Sequence, residues 1–280
     1  MNNPFPTISD IASFLEQWAP PSSAQSYDNV GLQVGDPRSV VQRAVIALDM
    51  TPAVLREVMS VGATLIVTHH PLIFRPLRSL TPSSLPSSLA LQLAESRIAL
   101  YSIHTNLDAA PGGVSFALGE ILGLHDLEFL ERNENGDQRT GLGAVGALEE
   151  AMTLEAFLHR ISDRLGSASI RFAGIPDAIV KRVAVCGGAG AEFVRQALAV
   201  GADAYVTSDV KYHQYFDVLN NDGHPRMAFI DAGHYETEAM SVDLLRNELA
   251  GRFPRVDWRS TETRTSPVRV FSSGNTKDAS

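Results

Sequence analysis

The chain has 280 residues, 44% of them apolar and 20% charged, with 32 acidic residues against 23 basic ones and a formal net charge of −9. That composition supports a sizeable core, excludes a disordered, collagenous or disulfide-stapled chain, and contains no apolar run long enough to span a bilayer. The acidic balance, with only three lysines, disfavours non-specific nucleic-acid binding, which needs basic side chains to displace counterions, and the single cysteine, Cys186, excludes an intrachain disulfide and a cysteine zinc site and fits a reducing, cytoplasmic compartment.

The N-terminus lacks a basic stretch followed by an apolar one, so no signal peptide is expected. Instead Thr7 caps a helix whose Ile8, Ile11, Leu15 and Trp18 recur at helical spacing. Residues 41–70 read as strand, helix and strand ending in His69-His70, and the Pro- and Ser-rich stretch 75–88 reads as a surface loop placed to act as a lid. RIALYSI predicts a strand that delivers His104 and then Asp108. The polar stretch 131–140 predicts a loop between two lobes. Beyond it come a strand in GLGAVGAL, a helix from Thr153 to Leu165, a strand near SIRFAG, and a second strand–helix–strand unit over 180–209. YHQYFDVLN reads as helical, RMAFIDAG as a strand followed by a helix, and VDWRS and VRVF as short strands. Residues 272–280 read as a flexible tail.

The two strand–helix–strand units are an internal repeat. Residues 41–70 align with 180–209 without a gap at an offset of 139, with eight of thirty positions identical, including Arg43/Arg182, the VGA words at 61–63 and 200–202, and the VT words at 67–68 and 206–207. Gly62 and Gly201 stand where a helix C-terminus takes a left-handed residue. A duplicated α/β lobe with mixed sheets follows as the fold expectation. In the expected domain map, residues 1–126 and 226–280 form a discontinuous first lobe, and 127–225 form the second.

Ligands gather beyond the carboxyl ends of strands in α/β sheets, and three predicted strand ends carry imidazole. They offer His69-His70, then His104 with Asp108, then His234 with Glu238. Histidine and carboxylate together are ligands for zinc, manganese or ferrous iron. His234 and Glu238, four apart, share a face if they open a helix. Asp108 has two oxygens with which to bridge two cations, and the number of groups suggests two ions rather than one.

The words SYDNVGLQVGD (26–36), VTHHPLIF (67–74), HTNLDAAPGGV (104–114), TSDVKYHQ (207–214) and DAGHYETE (231–238) occur in the order seen in the GTP cyclohydrolase 1 type 2 homologue family, the Nif-three-like proteins, which the chain resembles over nearly its whole length. It resembles the short form, without the extra central domain of longer members. The resemblance implies two α/β lobes, a dinuclear metal centre in the cleft between them, and a ring-shaped homohexamer. Carried onto this sequence, the ligands are His69, His70, Asp108, His234 and Glu238, with His104 beside the metals and Asp28 and Asn29 orienting ligands or lining the cleft. The metals are expected at strand ends near Thr68, Ile103 and Asp231, all in the first lobe. That placement requires the strand near 227–231 to cross back from the second lobe.

By the repeat, His69-His70 corresponds to Ser208-Asp209, so Asp209, Lys211 and His213 are the candidates to approach a substrate from the second lobe. The glycine-rich turn at 187–190 is either an anion cradle or a tight turn, and Cys186 reads as a buried small hydrophobe. The expected function is metal-dependent hydrolysis of a nucleotide, related heterocycle or phosphoester. The alternative is a non-catalytic metal carrier or a ring-shaped adaptor for protein or nucleic acid.

Overall fold

A capping box between Thr7 and Asp10 opens helix α1 (Ile8–Trp18), whose Ile8, Ile11 and Leu15 face inward. The structure, a computed structural model, describes residues 4–133 and 139–271. After α1 come strands β1 (Gly31–Val34) and β2 (Arg43–Ala47), helix α2 (Pro52–Val61), strand β3 (Leu65–Thr68), helix α3 (Leu85–Glu95), strand β4 (Ala99–Ser102) and helices α4 (Thr105–Asp108) and α5 (Val114–Leu122). The second half runs β5 (Leu124–Arg132), β6 (Gly141–Thr153), α6 (Leu154–Leu165), β7 (Arg171–Ala173), β8 (Ile179–Ala189), α7 (Val194–Ala199) and β9 (Ala204–Ser208). A 3-10 turn (Tyr212–Val218), β10 (Ala228–Asp231), α8 (His234–Glu238), α9 (Ser241–Arg252) and β11 (Asp257–Ser260) complete it.

The strands form two mixed sheets, as the duplicated-lobe reading requires. The first has the order β1-β4-β3-β2-β11, parallel throughout except for β1 at its edge. The second has the order β5-β6-β8-β9-β10-β7, with a parallel β8-β9-β10 centre flanked by antiparallel strands. Helices α1 and α9 cover one face of the first sheet and α2 and α3 the other. Helices α5 and α6 cover one face of the second, and α7 with the 3-10 turn covers the other. Each fully buried Leu or Ile in these layers contributes about 1.5–3 kcal/mol over its exposed state.

The repeat survives to the level of register. Ala44 pairs with Leu65 in the first lobe, and Val183 pairs with Ala204 in the second, both at the offset of 139 read from the sequence. Gly62 and Gly201 both adopt left-handed backbone, at φ +68° and +70°. The Arg43 guanidinium donates to the Val61 carbonyl, and Arg182 makes the equivalent bond to Val200. The likeness also reaches a third strand. Thr68 pairs with Ser102 of β4, and Thr207 pairs with Asp231 of β10, each sheet then carrying an antiparallel edge strand, β1 or β7.

Several expectations are corrected. The strand at 228–231 does not cross back to the first lobe; it pairs with β9 and β7 inside the second sheet. The return begins at α9, whose Leu245 and Leu249 lie in the first core, and is completed by β11 beside β2. At the other boundary, β5 starts at Leu124 and belongs to the second sheet, so that lobe begins before residue 127. Helix α5 serves both sides, with Val114 in the first core and Leu118 and Leu122 in the second. The expected loop at 75–88 is shorter, because Ser84 caps α3 and residues from Leu85 onward are helical. VRVF carries no strand, and YHQYFDVLN winds as a 3-10 turn. Much of the polar 131–140 stretch and the tail at 272–280 lie outside the described residues.

Candidate metal centre

Three strand tips converge where the two sheets face each other. The tip of β3 carries His69 and His70. The turn after β4 carries His104 and, one helical turn on, Asp108. The turn after β10 carries His234 and, again one helical turn on, Glu238. His234 and Glu238 come from the second lobe, so the residues meet between the two sheets rather than within one.

Each of the four imidazoles has its Nδ1 engaged, and the Nε2 atoms of His69, His70 and His234 face Glu238. His69 Nδ1 donates to the Ile103 carbonyl at 2.9 Å. His70 Nδ1 pairs with Asp49 at 2.7 Å, His104 Nδ1 with Asp28 at 2.9 Å, and His234 Nδ1 with Asp209 at 2.8 Å. Partners of this kind fix ring orientation and leave Nε2 as the inward atom, which is how metal-ligating histidines are held.

Glu238 lies at the centre and is 3% exposed. Its Oε2 is 2.9 Å from His70 Nε2 and 3.0 Å from His234 Nε2, while its Oε1 is 3.8 Å from His69 Nε2. Asp108 Oδ1 lies 3.6 Å from His69 Nε2. Two groups of ligand atoms therefore lie within 4.8 Å of one another: His69, His70 and His104, and His70, His234 and Glu238.

His69 Nε2 and Asp108 Oδ1 are buried side-chain atoms with no hydrogen-bond partner among the described residues. Leaving such a group unsatisfied costs roughly 1–3 kcal/mol, so the donor set fits an additional positive centre between them. The titration of the group agrees. Burial raises the Asp108 carboxyl to about 7, with the Glu238 charge adding to it and the His69 imidazole opposing. Burial pulls His70 and His234 down, but their bonds to Asp49, Asp209 and Glu238 outweigh it and lift them to about 9 and about 10. Burial likewise works against the Glu238 carboxylate, yet the three imidazoles around it hold it well below the usual carboxylate range. Protons thus occupy positions that a cation can take.

Of the other residues singled out, Asp28 accepts from His104 and from the Thr105 backbone N–H, an orienting role. Asn29 donates to the Ile73 carbonyl. Asp209 reaches the site through His234. Lys211 and His213 are exposed and make their contacts locally: the Lys211 backbone N–H donates to Gln214, and the His213 ring lies against Tyr212 and Phe216. The glycine-rich turn is not an anion cradle, since the N–H groups of Gly187, Gly188 and Gly190 donate to the hydroxyls of Ser115, Thr237 and Thr207. It backs the site instead. A Cβ on Gly188 would come within 2.0 Å of Glu238 Oε1, so only glycine leaves room for that carboxylate. Cys186 is buried, and burial pushes its thiol up.

Asp49 escaped the sequence reading. Its signal was a carboxylate directly after β2, at a strand end like the others. It is held in turn by Thr265, which donates from the C-terminal segment to Asp49 Oδ2 at 2.5 Å.

Known proteins resemble the chain throughout. A protein from Nostoc sp. named GTP cyclohydrolase 1 type 2 homolog is 35% identical over 268 residues, covering 94% of this chain and 98% of its own. One of the same name from Clostridium acetobutylicum is 33% identical over 244 residues, covering 87% and 90%. A crystal structure of a Staphylococcus aureus protein superposes with a TM-score of 0.87 at 28% identity, covering 96% of this chain and all of that one. The family model for Duf34/NIF3 (NGG1p interacting factor 3) matches residues 6–267, and the chain belongs to that family.

Proposed function

We propose that this cleft holds two divalent cations and that the protein is a metal-dependent hydrolase acting on a nucleotide, a related heterocycle or a phosphoester. The observation that carries the reading is the pair of buried, unpartnered atoms, His69 Nε2 and Asp108 Oδ1, inside a ring of imidazoles whose outer nitrogens are all engaged. One ion would be held by His69, Asp108 and Glu238, with His104 facing it, and the other by His70, His234 and Glu238. Glu238, rather than Asp108, is then the shared carboxylate, because its two oxygens face the two groups. Paired divalent ions supply a water acidified toward neutral pH and polarise a phosphoryl or carbonyl oxygen. The chain's part is to fix the four imidazoles through Asp49, Asp28, Asp209 and the Ile103 carbonyl, and to line the back of the site with the glycine turn. The name carried by the curated relatives supports the substrate class by analogy. The family resemblance likewise supports a homohexameric ring, and the single cysteine a cytoplasmic location. Among the described residues no helix is long and apolar enough to cross a membrane.

The test is to strip the protein with a chelator, reload it separately with zinc, manganese and ferrous iron, and measure ions per chain alongside turnover of GTP, other nucleotides and simple phosphoesters. Two ions per chain with metal-dependent turnover is the expected result. Two readily exchanged ions with no turnover on any of these substrates overturns the hydrolase reading in favour of a carrier.

A further inference from the structure

Two exposed aromatic side chains stand beside the histidine cluster. Tyr27 is 64% exposed and Phe74 is 40% exposed. Their ring centroids are 6.2 Å apart, and Phe74 lies edge-on to His104 at 6.4 Å. Neither sits on a slack loop. The backbone of Ile73, next to Phe74, is pinned from both sides: its N–H donates to Gln33 Oε1 at 2.9 Å, and its carbonyl accepts from the Asn29 amide. Gln33 is tied back in turn, donating to the Asn29 carbonyl at 2.8 Å. Tyr27 precedes Asp28, whose carboxylate holds His104 and Thr105. The SYDNVGLQVGD segment therefore orients one imidazole and presents both aromatic rings to solvent beside it. The rings meet edge to face at 64°, a favourable aromatic geometry that leaves Tyr27 64% and Phe74 40% exposed for a flat partner.

Partial burial, followed by the carboxylates of Asp28, Glu192 and Asp108, pushes the Tyr27 hydroxyl up, so it stays protonated.

We propose that Tyr27 and Phe74, whose rings meet edge to face at 64°, form an aromatic corner in which the planar ring of the substrate, a nucleobase or similar heterocycle, stacks on one ring and meets the other edge-on, leaving its anionic or scissile end to point at the metal centre. The proposal rests on the hydrolase reading for its orientation. The corner itself rests on the two exposed rings, their pinned backbone and their place beside His104.

The experiment compares Tyr27→Ala, Phe74→Ala, the double variant and the conservative Phe74→Tyr, each metal-loaded, by equilibrium binding. The probes are adenine, guanine and cytosine nucleoside monophosphates, a base-free ribose phosphate, and the free nucleosides. Stacking on an aromatic side chain predicts that each alanine variant weakens the base-bearing probes by roughly tenfold. Ribose phosphate binding, ions per chain and assembly size should be unchanged, and Phe74→Tyr should bind like the parent. Equal loss for base-bearing and base-free probes, unchanged binding in both alanine variants, or no binding of any base-bearing probe to the parent overturns the corner. A changed assembly size with nucleotide binding intact overturns it in favour of a contact between copies of the chain. If the parent holds no metal, the hydrolase reading fails by itself, and the free nucleosides still decide the corner: selective loss in the alanine variants keeps it, and no binding overturns it.

Discussion

The strand pair β2–β3 of the first lobe and the pair β8–β9 of the second run in the same register until their tips, where they part. In the first lobe Ala47 continues the ladder opposite Thr68, and the chain passes on through Asp49. In the second the ladder slips after Val185, and Ala189 is the next residue paired, opposite Ser208. Cys186, Gly187 and Gly188 thus stand opposite a single residue, Thr207. Gly188 is the repeat counterpart of Asp49. One lobe keeps a carboxylate there to orient His70; the other keeps nothing, because Glu238 fills the space. The counterpart of His70 is Asp209, which has become the orienting carboxylate of His234. Beyond the third strands both lobes place a histidine and, one turn later, a carboxylate: His104 with Asp108, and His234 with Glu238. A duplicated scaffold can thus hold one asymmetric site by exchanging roles at equivalent strand tips, with the core register left intact.

The sharpest break of this comparison is at Glu238, whose Oε1 faces His69 and whose Oε2 faces His70 and His234. Glu238→Gln keeps the volume and removes the charge, so both ions are expected to be lost together. Asp108→Ala should empty mainly the His69 position. Ions per chain after reloading measure this; a Glu238→Gln protein that still holds two ions would return the bridging role to Asp108.

A smaller effect is read from pH, because His70 of one lobe and His234 of the other are both raised, to about 9 and about 10, in the metal-free chain. With folded values above the unfolded value of about 6.5, the stability these groups add is fully present below that pH and is lost as pH rises through 9 and 10. Asp108, raised to about 7, changes stability in the same direction. The lowered Glu238 acts oppositely, but only at acid pH. A cation must displace the same protons, so its affinity is expected to rise about tenfold per pH unit for each proton displaced, between about pH 6 and 9. Thermal unfolding of stripped and loaded protein across this range should therefore diverge, the stripped form losing stability as the loaded form gains it. Parallel curves would mean that no cation competes with these protons.

How far this was legible in sequence follows from what each signal encodes. His69, His70, His104, Asp108, His234 and Glu238 stood out because polar residues after apolar strands must emerge at one edge of an α/β sheet. Which sheet received β10 did not stand out. AFID pairs as readily beside LIVT as beside AYVTS, and only the tertiary pairing decides. The two facing lobes bring Glu238 to His69 and His70, and His234 beside His70, without the strand near 227–231 crossing to the first sheet. The third strand of the repeat was hidden because ALYS and AFID share a single residue and the segment before it differs in length between the lobes. Asp49 was hidden because one aspartate after a strand has the signature of a turn.

The orienting carboxylates give the next test. Asp49 and Asp209 hold the two imidazoles that share Glu238 Oε2. Removing such a partner typically costs 10–100-fold in metal affinity. Asp49→Ala and Asp209→Ala are each expected to weaken the same one of two ions by about that factor, measured by competition with a chelating dye. If only Asp49 matters, the role exchange between the lobes is wrong, and Asp209 belongs to the substrate side.

The smallest effect tests what the lobes still share. Gly62 and Gly201 end α2 and α7 at φ +68° and +70°, and an added Cβ meets nothing closer than Arg43 Nη1 at 3.9 Å in the first case and nothing within 4 Å in the second. Steric clash is therefore absent, and only the left-handed backbone opposes an L side chain, at about 1 kcal/mol. Each cap is supported by the same arginine-to-carbonyl bond, from Arg43 and from Arg182. Gly62→Ala and Gly201→Ala should then destabilise the chain by equal amounts of about 1 kcal/mol. The double variant should lose the sum to within about 0.5 kcal/mol, since the two turns share no partner. Denaturant unfolding of the metal-free protein measures all three. A cost at one cap alone would show that the duplicated core had diverged inside the lobes as well as at their tips.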